Sequence, residues 1–231
     1  MDRKVTVLLL AALVVSGSMA QAGTVVLPGL GGDLLVNVTS FKERRFLTVV
    51  QQQYDFSCGS AAVASLLTYH YDHPVSEQTV FTSMIALADE EKVRRQGFSM
   101  LDMKRYLANQ GFLADGFRMP LGQLREAVRI PLVVLLDMDG FRHFVVVKGI
   151  SEGEVLVGDP SRGLKIFTHA DFLSRWDGIA FVIRSHLPEG RTMFNREDEW
   201  GQVARAPLGD QPTGMSPMDR TVLFSPLGQE W

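Results

Sequence analysis

Four side chains in this chain have the types and the spacing to cut an amide bond. Cys58 lies in Gln51-Gln52-Gln53-Tyr54-Asp55-Phe56-Ser57-Cys58-Gly59-Ser60-Ala61-Ala62 and is the single cysteine of 231 residues. It has no disulfide partner within the chain. The apolar run Val63-Ala64-Ser65-Leu66-Leu67 follows it and reads as a helix, with Ser57 as the expected N-cap. The thiol then stands at a helix N-terminus, where the dipole and unpaired N–H groups favour a thiolate. Taken alone, such a cysteine equally suits a small buried hydrophobe. Its company decides.

Hydrolysis by a thiol needs a thiolate, a base, a group that orients the base, and donors for the oxyanion. His143 lies in Gly140-Phe141-Arg142-His143-Phe144-Val145-Val146-Val147, at the start of a strand after a tight turn. Asp159 lies in Val157-Gly158-Asp159-Pro160, at the end of the next strand. Antiparallel neighbours that begin and end at one sheet edge bring these two together. Asp-Pro also serves plain turn chemistry. Gln52 precedes Cys58 by six residues, and its amide could join the Cys58 N–H in an oxyanion hole. Gln51 and Gln53 adjoin it, and the residues alone do not choose among the three.

The elements that must hold these groups read in order. A helix runs from about Cys58 to Tyr71, a second from Ser76 to Ala88, and a third from Met100 until Gly111 closes it. Glu90 to Gln96 is charged and reads as a solvated stretch. Phe112 to Phe117 suggests a short strand and Leu121 to Val128 a short helix. Pro131 to Leu136 is continuously apolar, as in a strand buried on both faces. Asp139-Gly140 signals a hairpin. Strands follow at Phe141 to Ile150, Glu154 to Gly158 and Leu164 to Phe167. A helix at Thr168 to Trp176 and a last strand at Ile179 to Ile183 complete the set. Helices first and an antiparallel meander afterwards make an α+β fold. Trp176 is expected to pack beside the site. His70 and His73 fit a polar helix end better than a metal pair.

Asp2-Arg3-Lys4, the apolar stretch Val5 to Val15 and Ala20-Gln21-Ala22 together read as a cleavable signal peptide. The mature protein is then expected to be periplasmic, starting at Gly23, with no stable membrane span. The formal net charge of −3 and the lack of a basic stripe argue against nucleic acid. No phosphate loop, dinucleotide fingerprint or metal motif is present, so no cofactor is expected. The chain divides into a signal peptide (1–22), an N-terminal arm (23–48), a catalytic domain (49–186) and a Pro/Gly-rich tail (187–231). The tail reads as extended over the surface or partly disordered.

Gln-x5-Cys-Gly, Gly-x-x-His-Phe-Val-Val and, sixteen residues after the histidine, Gly-Asp-Pro together resemble the peptidase C39 family. These are papain-like cysteine peptidases best known as leader-processing domains fused to bacteriocin exporters. The resemblance spans about Val49 to Ile183. It implies a papain-like fold of N-terminal helices packed on an antiparallel sheet. It also implies Cys58 as nucleophile, His143 as base, Asp159 as its orienter, and Gln52 among the three glutamines as oxyanion donor. A closer resemblance, carried by Gln96 to Tyr106 and Asp55 to Gly59, is to the stand-alone C39-like proteins of functional-amyloid operons. It implies a periplasmic peptidase serving amyloid secretion. Its substrate would be a protein or peptide: a fibre subunit, another operon component or the export pore. The chain departs from the exporter type in having no transporter domain or nucleotide-binding motif, so ATP is not inferred. Its export signal also sets it apart from cytosol-facing domains that cut double-glycine leaders. Two other readings are a client-holding scaffold in the export system, with little or no catalysis, and a cell-wall amidase independent of Asp159.

Overall fold

The computed structural model describes residues 23–27 and 34–203. The expected signal peptide and the last part of the expected tail lie outside the described residues. In a unit of its own, β1 (Gly23–Leu27) and β2 (Leu34–Val38) form an antiparallel hairpin with Val25 opposite Val36. The sequence suggests an arm with one short strand there; two form.

The main unit opens with helices. α1 (Phe41–Arg45) leads to α2 (Cys58–His70), whose residues 58–67 are all buried. A helix apolar on every side, as this one is from Ala61 to Leu67, belongs in an interior. α3 (Glu77–Ile85) starts where Ser76 accepts from the Thr79 N–H. α4 (Glu90–Gln96) starts where Asp89 accepts from the Lys92 N–H. α5 (Met100–Asn109) opens with a full capping box of Ser99 and Asp102. α4 is solvated as expected, with only Val93 buried, but it is helical. Its charges are spaced for i,i+4 pairs, Glu90 with Arg94 and Glu91 with Arg95, and those pairs and the cap favour a surface helix.

The strands then follow with their connecting helices. They are β3 (Ala114–Arg118), α6 (Leu121–Gln123) with a π-turn over Leu124–Val128, β4 (Leu132–Met138) and β5 (Phe141–Ile150). After them come β6 (Glu154–Asp159), β7 (Gly163–Thr168), α7 (His169–Arg175) and β8 (Trp176–Ile183). All six strands from β3 onward form one antiparallel sheet in the order β3-β8-β4-β5-β6-β7. β4 and β5 lie at its centre. One face, with Val133, Phe144 and Val146, packs under α2 and α5; the other, with Val134, Val145 and Val147, packs against Phe172 of α7. This two-sided burial is why β4 reads as a continuous apolar run.

Residues 187–203 correct the expectation of an extended tail. α8 (Leu187–Thr192) and α9 (Glu197–Gln202) turn back onto the far end of β5. Asn195 does the docking. Its backbone N–H donates to the Lys148 carbonyl (3.0 Å), its Oδ1 accepts from the Ile150 N–H (2.6 Å), and its Nδ2 donates to the Ile150 carbonyl (3.0 Å). Gly149 permits this approach, because a Cβ there would fall 3.1 Å from Trp200 Nε1 and 3.2 Å from Asn195 Cα. Glu199 then meets Lys148, both buried. The other two ammonium hydrogens go to the Thr48 carbonyl (2.8 Å) and hydroxyl (2.7 Å). Burial holds Lys148 below its usual pKa, and the Glu199 charge opposes that shift. His70 lies nearby, buried, with its ring against the Met193 backbone. Burial first, then the charges of Lys148 and Arg196, push its pKa well down, which keeps it neutral.

Removing one partner of a fully buried ion pair leaves a bare charge and costs about 3–5 kcal/mol. Glu199→Ala is therefore expected to lower the unfolding free energy by about that much in urea titrations. Glu199→Leu combined with Lys148→Met should recover most of it. A loss below about 1 kcal/mol in Glu199→Ala would mean that the segment is not held through this pair.

Candidate active site

Cys58 is the first residue of α2 and is 4% exposed. Ser57 sits at the N-cap position, but its side chain does not cap the helix. Its hydroxyl instead donates to the Tyr54 carbonyl (3.0 Å) and accepts from the Tyr54 N–H (3.1 Å), closing the turn before the helix. The first-turn N–H groups of α2 therefore have no side-chain cap at the place where a reacting oxygen would need them. Gly59 follows the cysteine because the helix start is crowded. A Cβ there would lie 2.9 Å from Met103 Cε and 3.1 Å from Phe98 Cβ.

The loop before Cys58 is tied down at several points. The Val50 N–H donates to Ser65 Oγ on α2 (2.8 Å), and the Gln52 N–H donates to the Pro160 carbonyl (3.0 Å). Tyr54, Phe56 and Phe81 form a cluster with centroids 5.5–6.0 Å apart. Gln52 is half-buried, and its Nε2 donates to the Tyr54 carbonyl (3.0 Å). An amide nitrogen carries two hydrogens, so one remains for another acceptor. Gln51 and Gln53 are exposed.

His143 and Asp159 come together as the strand order requires. β5 and β6 pair antiparallel, with Val146 opposite Gly158. His143 Nε2 lies 2.7 Å from Asp159 Oδ1, and both residues are buried. Asp159 Oδ1 also accepts from the Ser161 N–H and hydroxyl, both at 2.7 Å. Burial alone would raise the Asp159 pKa; the His143 and Ser161 hydrogen bonds and the imidazole charge hold it below the usual carboxylate range. His143 Nδ1 is buried without a nitrogen or oxygen partner, and Cys58 is the polar group beside the ring. Burial opposes a charge on this ring. Hydrogen bonds and negative charge from Asp159 and Cys58 outweigh it and push the imidazole up to about 9. Such a ring stays protonated at neutral pH and is the cationic partner that a thiolate needs.

Beside Cys58 opens a cleft of about 910 Å³. Phe98, Leu135, Phe144 and Ile179 give it apolar walls, and α4 and the start of β5 border it. Sequence reasoning missed Ser161, although an Asx-type turn at Asp-Pro-Ser is a readable signal. It also placed Trp176 beside the site. Trp176 instead packs at a tilt beside Phe172 (centroids 5.4 Å apart) and donates from Nε1 to the Ile179 carbonyl (2.8 Å); it lines a different cavity, with His169 and Leu173.

The chain is similar to known proteins over most of its length. Residues 47–186 match the Peptidase C39 family. The chain is 41% identical over 213 residues to "Probable functional amyloid protease FapD" of Pseudomonas aeruginosa, covering 87% of this chain and 94% of that one. It is 38% identical over 226 residues to the protein of the same name from Pseudomonas fluorescens, covering 98% and 93%. Among solved structures, it resembles a double glycine motif protease from an AMS/PCAT transporter in complex with the leader peptide. That match has a TM-score of 0.50 and 26% identity, covering 58% of this chain and 88% of the other. The papain-like α+β architecture and these matches lead to one conclusion: the chain belongs to the peptidase C39 family and is a cysteine peptidase.

Proposed function

We propose that this chain is an exported, periplasmic peptidase that cuts one protein of a functional-amyloid export system, using Cys58, His143, Asp159 and Gln52. The observation that carries this reading is the buried Cys58, His143 and Asp159 group at the cleft, with its imidazole pushed up to about 9. The similarity to FapD over most of both chains supports the amyloid setting. The charged, apolar and small-residue segments of 1–22 support export.

In this reading the Cys58 sulfur attacks the scissile carbonyl carbon. The carbonyl oxygen takes the electron pair and is held by the Cys58 backbone N–H and Gln52 Nε2. Collapse breaks the C–N bond, and His143 gives its proton to the leaving amine. A thioester remains on Cys58. Water then attacks it, passing a proton to His143, and a second collapse releases the acid and the sulfur. Asp159 holds the ring in one orientation and supports its charge throughout.

Gln52→Ala is expected to lower kcat about a hundredfold, roughly 3 kcal/mol, with little change in KM. Unchanged kcat would remove Gln52 from the oxyanion hole. A ring with a pKa of about 9 loses its proton as pH rises through that value, so activity should fall above about pH 9. Without the Asp159 charge the ring is less able to hold its proton. In Asp159→Asn the alkaline limb should therefore move toward the ordinary histidine range near ~6.5. A limb that stayed in place would separate Asp159 from His143. The reaction itself is tested by mass spectrometry of periplasmic and secreted proteins from cells with wild type or Cys58→Ala and the full export system. A new protein terminus found only with wild type is expected. Identical termini with export intact would sink the peptidase reading and leave a client-binding scaffold.

A further inference from the structure

Building on the peptidase reading, we propose that Ser60 and Glu77 are positioning residues for the reaction at Cys58, holding the Ser57–Cys58 peptide so that the Cys58 N–H faces the incoming carbonyl oxygen. A trans peptide is planar, so its C=O and N–H point opposite ways, and whatever holds one aims the other. At the start of a helix the N–H has no intrahelical acceptor, and the peptide is held through its carbonyl. The Ser57 carbonyl is held twice. It accepts from the Ala61 N–H (3.1 Å) and from the Ser60 hydroxyl (2.8 Å). The first bond is the ordinary helical one; the second comes from a side chain. Ser60 Oγ also lies 2.9 Å from Oε1 of Glu77, the first residue of α3. A serine hydroxyl has three staggered positions, and the Glu77 contact selects the one over the Ser57 carbonyl. The Ser57 hydroxyl, bonded to Tyr54, ties the other side of the same residue.

Packing of α3 on α2 does not account for this pair. Both residues are buried, with Glu77 only 3% exposed. Glu77 Oε2 is buried with no hydrogen-bond partner among the described residues. A buried carboxylate costs free energy unless it is fully paired, and an apolar side chain of similar size would join the two helices without that cost. Such locally unfavourable choices are expected at functional sites. The turn itself has little room to shift, because Met103 and Phe98 already crowd Gly59. Packing therefore fixes where the turn sits, and Ser60 with Glu77 fixes how its first peptide is rotated.

The test uses two reagents on the full chain, both consuming the Cys58 sulfur but through different geometries. Iodoacetamide alkylates the sulfur at a tetrahedral carbon with loss of iodide, and no oxyanion forms. With p-nitrophenyl acetate the sulfur bonds to the carbonyl carbon and the oxygen takes the electron pair. Collapse then expels p-nitrophenolate and leaves an acetyl thioester on Cys58. Rates measured on Cys58→Ala are subtracted to remove reaction at other side chains. In Ser60→Ala and in Glu77→Leu, acylation is expected to fall about tenfold while alkylation keeps the wild-type rate. Glu77→Gln, which keeps a polar partner for Ser60, should retain most of the acylation rate. Glu77→Leu should melt no lower than wild type, which a merely structural link between the helices would not allow. Unchanged acylation in either Ser60→Ala or Glu77→Leu would overturn the proposal, as would parallel loss of acylation and alkylation, or Glu77→Gln acylating no faster than Glu77→Leu. The split between the two reagents, found in a wild type that cleaves no peptide, keeps this inference and defeats the peptidase reading.

Discussion

The buried hydrogen bond between His143 and Asp159 is the constraint around which the domain is arranged. It joins the start of one central strand to the end of the next, so the register of β5 on β6 must be held to a residue. A one-residue slip would send the ring to the other face of the sheet. Both groups are buried, and a buried charge is tolerated only when it is paired and hydrogen-bonded. Asp159 meets that condition through four donors, two of them from Ser161 and one the Arg162 N–H. The turn that carries Asp159 also receives the Gln52 N–H through Pro160. The loop leading to Cys58 and the strand carrying His143 therefore share one anchor.

The same strand is fixed again at its other end. Lys148 is buried among Thr48, Tyr69 and Glu199, which come from three separate parts of the chain. Glu199 belongs to residues beyond the 47–186 stretch that matches the family. In this protein the strand bearing His143 is completed by a segment C-terminal to the shared domain. His70, the last residue of the helix that Cys58 begins, lies beside the same buried pair. One polar cluster thus restrains the far ends of both elements that meet at the site.

Much of this was readable in the residues because the relevant signals are local. Asp139-Gly140 occupies a turn with both φ angles positive, as a two-residue hairpin demands. The capping pair Ser99 and Asp102 marks α5, and the apolar run of β4 announces burial on both faces. The placement of His143 beside Asp159 followed from two turns at one sheet edge. What escaped was decided by partners distant in sequence. Ser57 looks like a cap, yet its hydroxyl is better satisfied by Tyr54. Residues 187–203 look irregular because Pro188 and Gly190 interrupt their pattern. Their order comes from Lys148, Gly149 and Ile150, some 45 residues earlier, not from propensity. Trp176 has no local feature that says which face of the sheet it takes.

The charge of the cleft has the same non-local origin. The chain as a whole is slightly acidic, with a formal net charge of −3, so composition gives no hint of the four basic side chains gathered at the cleft. The basic side chains converge only when α4 is set against the start of β5, two segments that the sequence separates by the whole of α5, β3 and β4. Asp55 and Asp177 line the same cleft, and the combined field of these charges falls on its low-dielectric walls. This field also has to coexist with a protonated imidazole beneath it, which extra positive charge would discourage. Asp159, screened from solvent and in direct contact with the ring, resolves the conflict because close buried charges outweigh exposed ones several ångströms further away. The protonation of the ring is therefore set by the buried pair more than by the charges at the surface of the cleft.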